Sequence, residues 1–83
     1  MQYFVYILEC ADKTLYVGST IDLERRLVQH NNSKNGAHYT KIRRPVVLKY
    51  SETLPTFADS RRREGEIKRL TREKKLNLIK NKK

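Results

Sequence analysis

Apolar and polar positions along this chain switch between a strand period and a helix period, and the switches mark its elements. From Tyr3 to Glu9 apolar side chains fall on both parities, which predicts a strand covered on both faces and therefore central in a sheet. Ala11-Asp12-Lys13 supplies turn residues and Thr14 to Val17 predicts a second short strand ended by Gly18, so the two form a β-hairpin. Side chains alternate across a sheet. An odd-length loop such as 11–13 therefore puts Tyr6 and Tyr16 on one face, with Tyr16 opposite Leu8 and about 7–8 Å from Tyr6 along the diagonal. A two-residue loop would put them on opposite faces.

Past Gly18 the pattern predicts a helix over about Ile21 to His30. Ser19 or Thr20 is placed to cap it, Asp22 and Glu24 fall in the first turn where the dipole favours anions, and Leu23 with Leu27 forms the buried stripe. At about 100° per residue, with Leu23 at 0°, Leu27 lies near 40°, His30 near 340°, Arg26 near 300° and Arg25 near 200°. Arg26 and His30 thus border the core face, and Arg25 looks at solvent.

Asn31 to Gly36 predicts a polar loop, and His38-Tyr39-Thr40 follows in an irregular or briefly helical stretch. Val46 to Ser51 predicts a third strand stopped by Leu54-Pro55, after which Thr56 caps a helix from Phe57 to about Leu70 with Asp59 in its first turn. On that helix Glu64 lies within about 20° of Phe57 and about 60° from Ile67, whereas Glu66 points away. A carboxylate in an apolar face is costly unless paired or bound to a cation. A salt bridge to Arg26 or another arginine and a functional, cation-binding role both remain open. Thr71 to Lys80 predicts a short last helix anchored by Leu76 and Ile79 and wrapping the sheet.

Charge changes the picture in one direction. The 83 residues carry a formal net charge of +10, spread as Arg25-Arg26, Lys41 to Arg44, Arg61-Arg62-Arg63, Lys74-Lys75 and Lys80 to Lys83, a field that attracts polyanions. Any single run reads equally well as solvated surface; their sum does not. The length suits one small domain over 1–83, and no repeat or linker divides it. The longest apolar run, Tyr3 to Leu8, falls far short of the roughly 20 residues of a spanning helix, so no membrane role of that kind is expected. The N-terminal residues show neither a charged n-region nor a small-residue cleavage site, and Cys10 stands alone as a packing residue. An intracellular, cytoplasmic protein is the expectation.

The ordered set Phe4-Val5-Tyr6, Tyr16-Val17-Gly18, Arg26, His30 and then Glu64 after Ala58-Asp59-Ser60-Arg61-Arg62-Arg63 resembles the GIY-YIG nuclease superfamily over nearly the whole chain. It is most similar to the small stand-alone bacterial members, themselves similar to the catalytic domains of excision-repair and structure-selective endonucleases. Most of the specificity lies in Tyr16 to Thr20 and Arg25 to His30; Phe4 stands where the name motif has glycine. The resemblance implies an α/β (α+β) fold, a small three-stranded antiparallel sheet flanked by helices, and the element order read above agrees. It also implies that Tyr6 and Tyr16 are the motif tyrosines, Arg26 the essential arginine, His30 the helix histidine and Glu64 the ligand of Mg²⁺ or Mn²⁺.

Phosphate cleavage needs a base for water, a cation for developing charge and a metal ligand. Tyr6 would serve as base where Arg26 and metal-bound water favour its phenolate, with Tyr16 orienting water or phosphate; the residues leave open which tyrosine is the base. Arg26 can meet non-bridging oxygens bidentately, and His30 can donate to phosphate or shuttle a proton. Taken singly, the tyrosines also read as core-closing strand residues and His30 as a helix cap. A zinc site from His30 and His38 lacks thiolate or carboxylate partners at ligand spacing.

Contacts to nucleic acid are expected from Arg25, His38, Lys41, Arg43, Arg44 and Arg61. The leading expectation is a metal-dependent endonuclease directed by nucleic-acid structure, DNA favoured over RNA, working in repair or recombination with or without a protein partner that supplies specificity. The rival is a non-catalytic DNA- or RNA-binding module on the same fold. An adaptor for an acidic protein or an anionic membrane ranks last.

Overall fold

A computed structural model of the chain describes residues 2–32, 40 and 42–81. Strands β1 (Tyr3–Glu9) and β2 (Leu15–Thr20) lead into helix α1 (Leu23–Asn32); β3 (Val47–Leu54), α2 (Phe57–Lys68) and α3 (Arg72–Asn81) follow. The sheet is antiparallel in the order β2-β1-β3, so β1 is central. Its residues Val5, Ile7, Tyr6 and Leu8 are buried, which is why apolar side chains on both parities were required.

The two faces of β1 carry separate cores. Val5 and Ile7 pack with Val17 and Ile67, joined by Leu15, Tyr50, Leu54, Leu70, Leu78 and Ile79, so α2 and α3 cover this face. Tyr6, Leu8 and Cys10 pack with Val46 on the other face, against Tyr16, Leu23, Leu27 and Leu48, which brings α1 over it. Burial pushes the Cys10 thiol up, in keeping with packing rather than nucleophilic chemistry.

Several boundaries differ from the pattern's expectation, each for a local reason. β2 does not end at Gly18 but runs to Thr20, because β1 keeps pairing through Phe4↔Thr20. Neither Ser19 nor Thr20 caps α1; Asp22 does, its Oδ1 accepting from the Arg25 N–H at 3.1 Å, and Ile21 is left exposed outside the helix. Thr56 caps α2 as expected, accepting from the Asp59 N–H at 3.1 Å. Phe57 is exposed rather than buried beside Glu64; its ring meets Tyr3 edge-on with centroids 6.0 Å apart. In α3 the anchors are Leu78 and Ile79, while Leu76, about 60° from Ile79 and about 160° from Leu78, is exposed. β3 runs on to Leu54 and carries a bulge, its partner changing from Tyr50 opposite Ile7 to Leu48 opposite Leu8.

A candidate active site at the edge of the sheet

The hairpin loop spans 10–14, an odd number of residues, and the register sets Leu8 opposite Tyr16 and Tyr6 opposite Gly18. Both tyrosines therefore project from the α1 face, as the parity argument required. An Asx turn shapes the loop: Asp12 Oδ1 accepts from the Thr14 N–H at 3.1 Å and from its hydroxyl at 2.6 Å, while Lys13 takes the left-handed conformation at φ 72°.

Tyr6 lies across Gly18 towards the edge strand. A Cβ at Gly18 would stand 2.5 Å from the Tyr6 hydroxyl oxygen and 3.1 Å from Cε2 of Tyr16, so this glycine is a matter of room. No glycine among the described residues has positive φ, and the sequence reading of Gly18 as a strand terminator missed its purpose. The Tyr6 oxygen is 2.8 Å from Nε2 of His30. The imidazole is wholly buried and has Tyr16 edge-on at 5.2 Å between centroids and Tyr6 at 5.9 Å.

Burial pushes the Tyr6 phenol up to about 12, opposed by a hydrogen bond from Arg26. The same burial, with Arg26 and Arg44 nearby, pushes His30 down to about 4. Both shifts favour the neutral form of the group, and which atom donates in the Tyr6–His30 bond is set by the tautomer of the ring. On the other side of the ring, Nδ1 is 2.6 Å from Oγ1 of Thr40, a buried residue that the sequence pattern did not single out. Arg26 is half-buried and also donates to Gln29 Oε1 at 2.9 Å, whereas Arg25 is exposed, as the helical phase predicted.

Glu64 approaches from the other face, on α2 between the buried residues Ser60 and Ile67. Ser19, freed from capping and on the opposite parity to Gly18, donates to Oε1 at 2.7 Å. Lys68 stands 2.7 Å from Oε2 and Arg61 3.5 Å from Oε1, so the partners include an arginine, though it is Arg61 rather than Arg26. Burial raises the carboxyl, but the bonds from Lys68 and Ser19 and the charges of Lys68 and Arg61 outweigh it and hold it below its ordinary value. Glu64 also acts electrostatically on the Tyr6 phenol, raising it as the smallest of the causes at work there.

Among the described residues no three His, Cys, Asp or Glu side chains cluster, and Glu64 is the buried acid. One ionised carboxylate beside a serine hydroxyl fits a hard divalent cation that keeps most of its waters, and does not fit an all-protein cage. The ammonium of Lys68 holds a position that such a cation could take.

The basic residues expected at nucleic acid divide. Arg43 pairs with Asp12 at 3.0 Å. Arg44 donates from Nε to the His30 carbonyl at 2.5 Å and from Nη2 to the Gln29 carbonyl at 3.2 Å, closing the end of α1. Arg25 and Arg61 are exposed; His38 and Lys41 lie outside the described residues.

Fold and site together are those of a small nuclease-like α+β domain with paired phenols. The GIY-YIG catalytic domain family matches residues 2–77, and the chain belongs to this family. It is 52% identical over 77 residues to a UPF0213 protein of Syntrophus aciditrophicus, covering 93% of this chain and 88% of that one. Among solved structures it resembles the UPF0213 protein BH0048 of Bacillus halodurans, with a TM-score of 0.64 and 41% identity over 99% of this chain and 86% of that one. It also resembles EF2693 of E. faecalis, at 0.66 and 35% identity over 96% and 84% of the two chains. Family membership brings a nuclease-like function with nucleic acid as substrate. No helix among the described residues is long and apolar enough to cross a membrane.

Proposed function

We propose that this chain is a metal-dependent endonuclease hydrolysing phosphodiester bonds, directed by nucleic-acid structure rather than base sequence. The observation that carries this reading is the Tyr6–His30 bond at 2.8 Å, with Arg26 donating to the same phenol and an ionised Glu64 acting on it from across β2. Tyr6 takes a proton from the attacking water as its own passes to His30 Nε2. Tyr16, half-buried beside the ring, orients water or phosphate, and Arg26 meets the non-bridging oxygens as charge develops. Glu64 would hold Mg²⁺ or Mn²⁺, which when bound supplies Lewis-acid stabilisation of the phosphate and leaving oxygen. The net charge of +10 supports a polyanionic substrate and steep salt dependence, DNA being favoured over RNA and cytoplasmic repair or recombination the setting. Specificity would come from strand geometry or from a partner protein.

One observation favours a second reading, a binding module on the same fold without turnover: cations already flank both oxygens of Glu64. Incubation with branched, flapped and nicked DNA and Mg²⁺ or Mn²⁺, beside Glu64→Gln, separates the two. Cleavage that needs both metal and Glu64 is expected. Salt-sensitive binding without metal-dependent cleavage, or equal behaviour of the variant, refutes the enzymatic reading.

A further inference from the structure

Behind the tyrosine–histidine pair lies a hydroxyl with no part in the mechanism so far. Thr40 is fully buried with Oγ1 2.6 Å from His30 Nδ1, while Nε2 on the far side of the ring is 2.8 Å from the Tyr6 oxygen. A neutral imidazole has one N–H, so the nitrogen that carries it decides what the other can do. The protonated Tyr6 phenol needs an acceptor. Arg26 has none to offer, and His30 Nε2 is in reach. With Nε2 accepting, the ring hydrogen sits on Nδ1 and points at the Thr40 oxygen.

The segment carrying Thr40 is tied to the end of α1. The Thr40 carbonyl accepts from the Arg43 N–H at 3.0 Å, and Arg44 donates to the His30 carbonyl at 2.5 Å. Asn31 exchanges two bonds with the Val46 backbone, at 3.1 and 2.8 Å. These ties hold the hydroxyl within hydrogen-bond distance of Nδ1, and the wholly buried ring leaves water little access to replace it.

The geometry points to Thr40 as a positioning residue: its hydroxyl accepts the Nδ1–H of His30 and so fixes the tautomer whose Nε2 can take the Tyr6 proton. The purpose of this arrangement rests on the catalytic reading above, but the tautomer is a property of the free protein. Thr40 itself touches no reacting atom; it acts through the ring.

Nitrogen-15 NMR of the histidine side chains in the free protein tests it, the two rings being told apart with His38→Asn. Wild-type His30 is expected to show a protonated Nδ1 and an unprotonated Nε2 at neutral pH. Thr40→Val leaves the Nδ1–H without its acceptor and should move the tautomer ratio towards Nε2–H by on the order of ten-fold or more. Thr40→Ser should restore the wild-type spectrum. A wild-type proton on Nε2, or an unchanged ratio in folded Thr40→Val, overturns the assignment, and the wild-type spectrum decides even if the valine variant fails to fold. On cleaved substrate, Thr40→Val should lower kcat with KM unchanged and Thr40→Ser should recover it. A shifted tautomer with undiminished cleavage overturns the proton relay of the catalytic reading and leaves the Thr40–His30 contact standing.

Discussion

Replacing Gly18 with alanine adds one methyl group at the place where the site has no room for it. The new Cβ would stand 2.5 Å from the Tyr6 oxygen, 2.7 Å from its Cζ and 3.1 Å from Tyr16 Cε2. Relief to an ordinary contact needs the phenol to retreat by about 1 Å, since such contacts settle near 3.5 Å. That retreat stretches the 2.8 Å bond to the wholly buried His30 ring. Overpacking costs about 1–3 kcal/mol and a lost buried hydrogen bond about 1 kcal/mol, so about 2–4 kcal/mol is expected in all. For a domain of this size each kcal/mol lowers Tm by roughly 4–8 °C. Urea unfolding followed by circular dichroism measures the loss, and Tyr6→Phe/Gly18→Ala supplies a check. Without its hydroxyl the ring loses the shortest contact, so the double variant should lose less than the two single losses added. A Gly18→Ala protein within about 0.5 kcal/mol of wild type, its His30 ring resonances unmoved, would refute the argument that glycine is there for space.

Acid should weaken the fold through His30. Its value falls from an ordinary 6.5 to about 4, so its contribution is complete above pH 6.5 and is lost as pH drops through 4, amounting to about 3 kcal/mol at 1.36 kcal/mol per pH unit. The stability gap between wild type and His30→Gln should shrink by that amount between pH 7.5 and pH 4 in urea titrations, and a constant gap would contradict it. Lys68→Met removes the ammonium 2.7 Å from Glu64; calorimetric titration with Mn²⁺ should show roughly two- to five-fold tighter binding, and unchanged or weaker binding would count against competition for that carboxylate. Glu52→Gln loosens the join between β3 and α2, where Glu52 accepts from Arg63 at 2.5 Å and from the Tyr50 hydroxyl, and should cost about 1 kcal/mol in urea unfolding because the pair is partly solvated.

What could be read from the chain divides by the range of the interaction. A period of two and an odd loop sufficed to put Tyr6 and Tyr16 on one face, and the pairing of Leu8 with Tyr16 follows from them alone. A helical phase sufficed to separate Arg26 from Arg25 and to bury His30. Ser19 was misread because a hydroxyl just ahead of a helix resembles a cap. Asp22, closer to the first turn, takes that duty, and the continued β2 pairing turns Ser19 to the α2 face to meet Glu64, 45 positions on in sequence. Thr40 left no periodic trace. Its place beside His30 goes with long-range ties that Arg44 and Asn31 make between the end of α1 and the approach to β3, contacts that belong to no repeat. Lys68 was within reach of spacing rules, four residues after Glu64 on one helix, and its proximity follows from the helix pitch.

Burial acts in opposite senses on the two partners at the centre of the site, and the consequence bears on when chemistry can occur. It favours the neutral form of each group, raising Tyr6 to about 12 and lowering His30 to about 4. Both shifts therefore oppose moving the phenolic proton to the imidazole at rest. A phosphate beside Arg26 changes those terms, because its negative charge compensates the imidazolium and the neighbouring guanidinium, which otherwise oppose protonation of His30. Taking up the proton of the attacking water as Tyr6 releases its own avoids a free phenolate altogether. In the proposed mechanism the resting pair stays neutral, and the reactive charge distribution becomes accessible when a polyanion is in place. On this account Arg26→Lys, which keeps a charge but loses the planar fork, should lower kcat more than it weakens DNA binding; equal losses in both would place Arg26 in substrate binding alone.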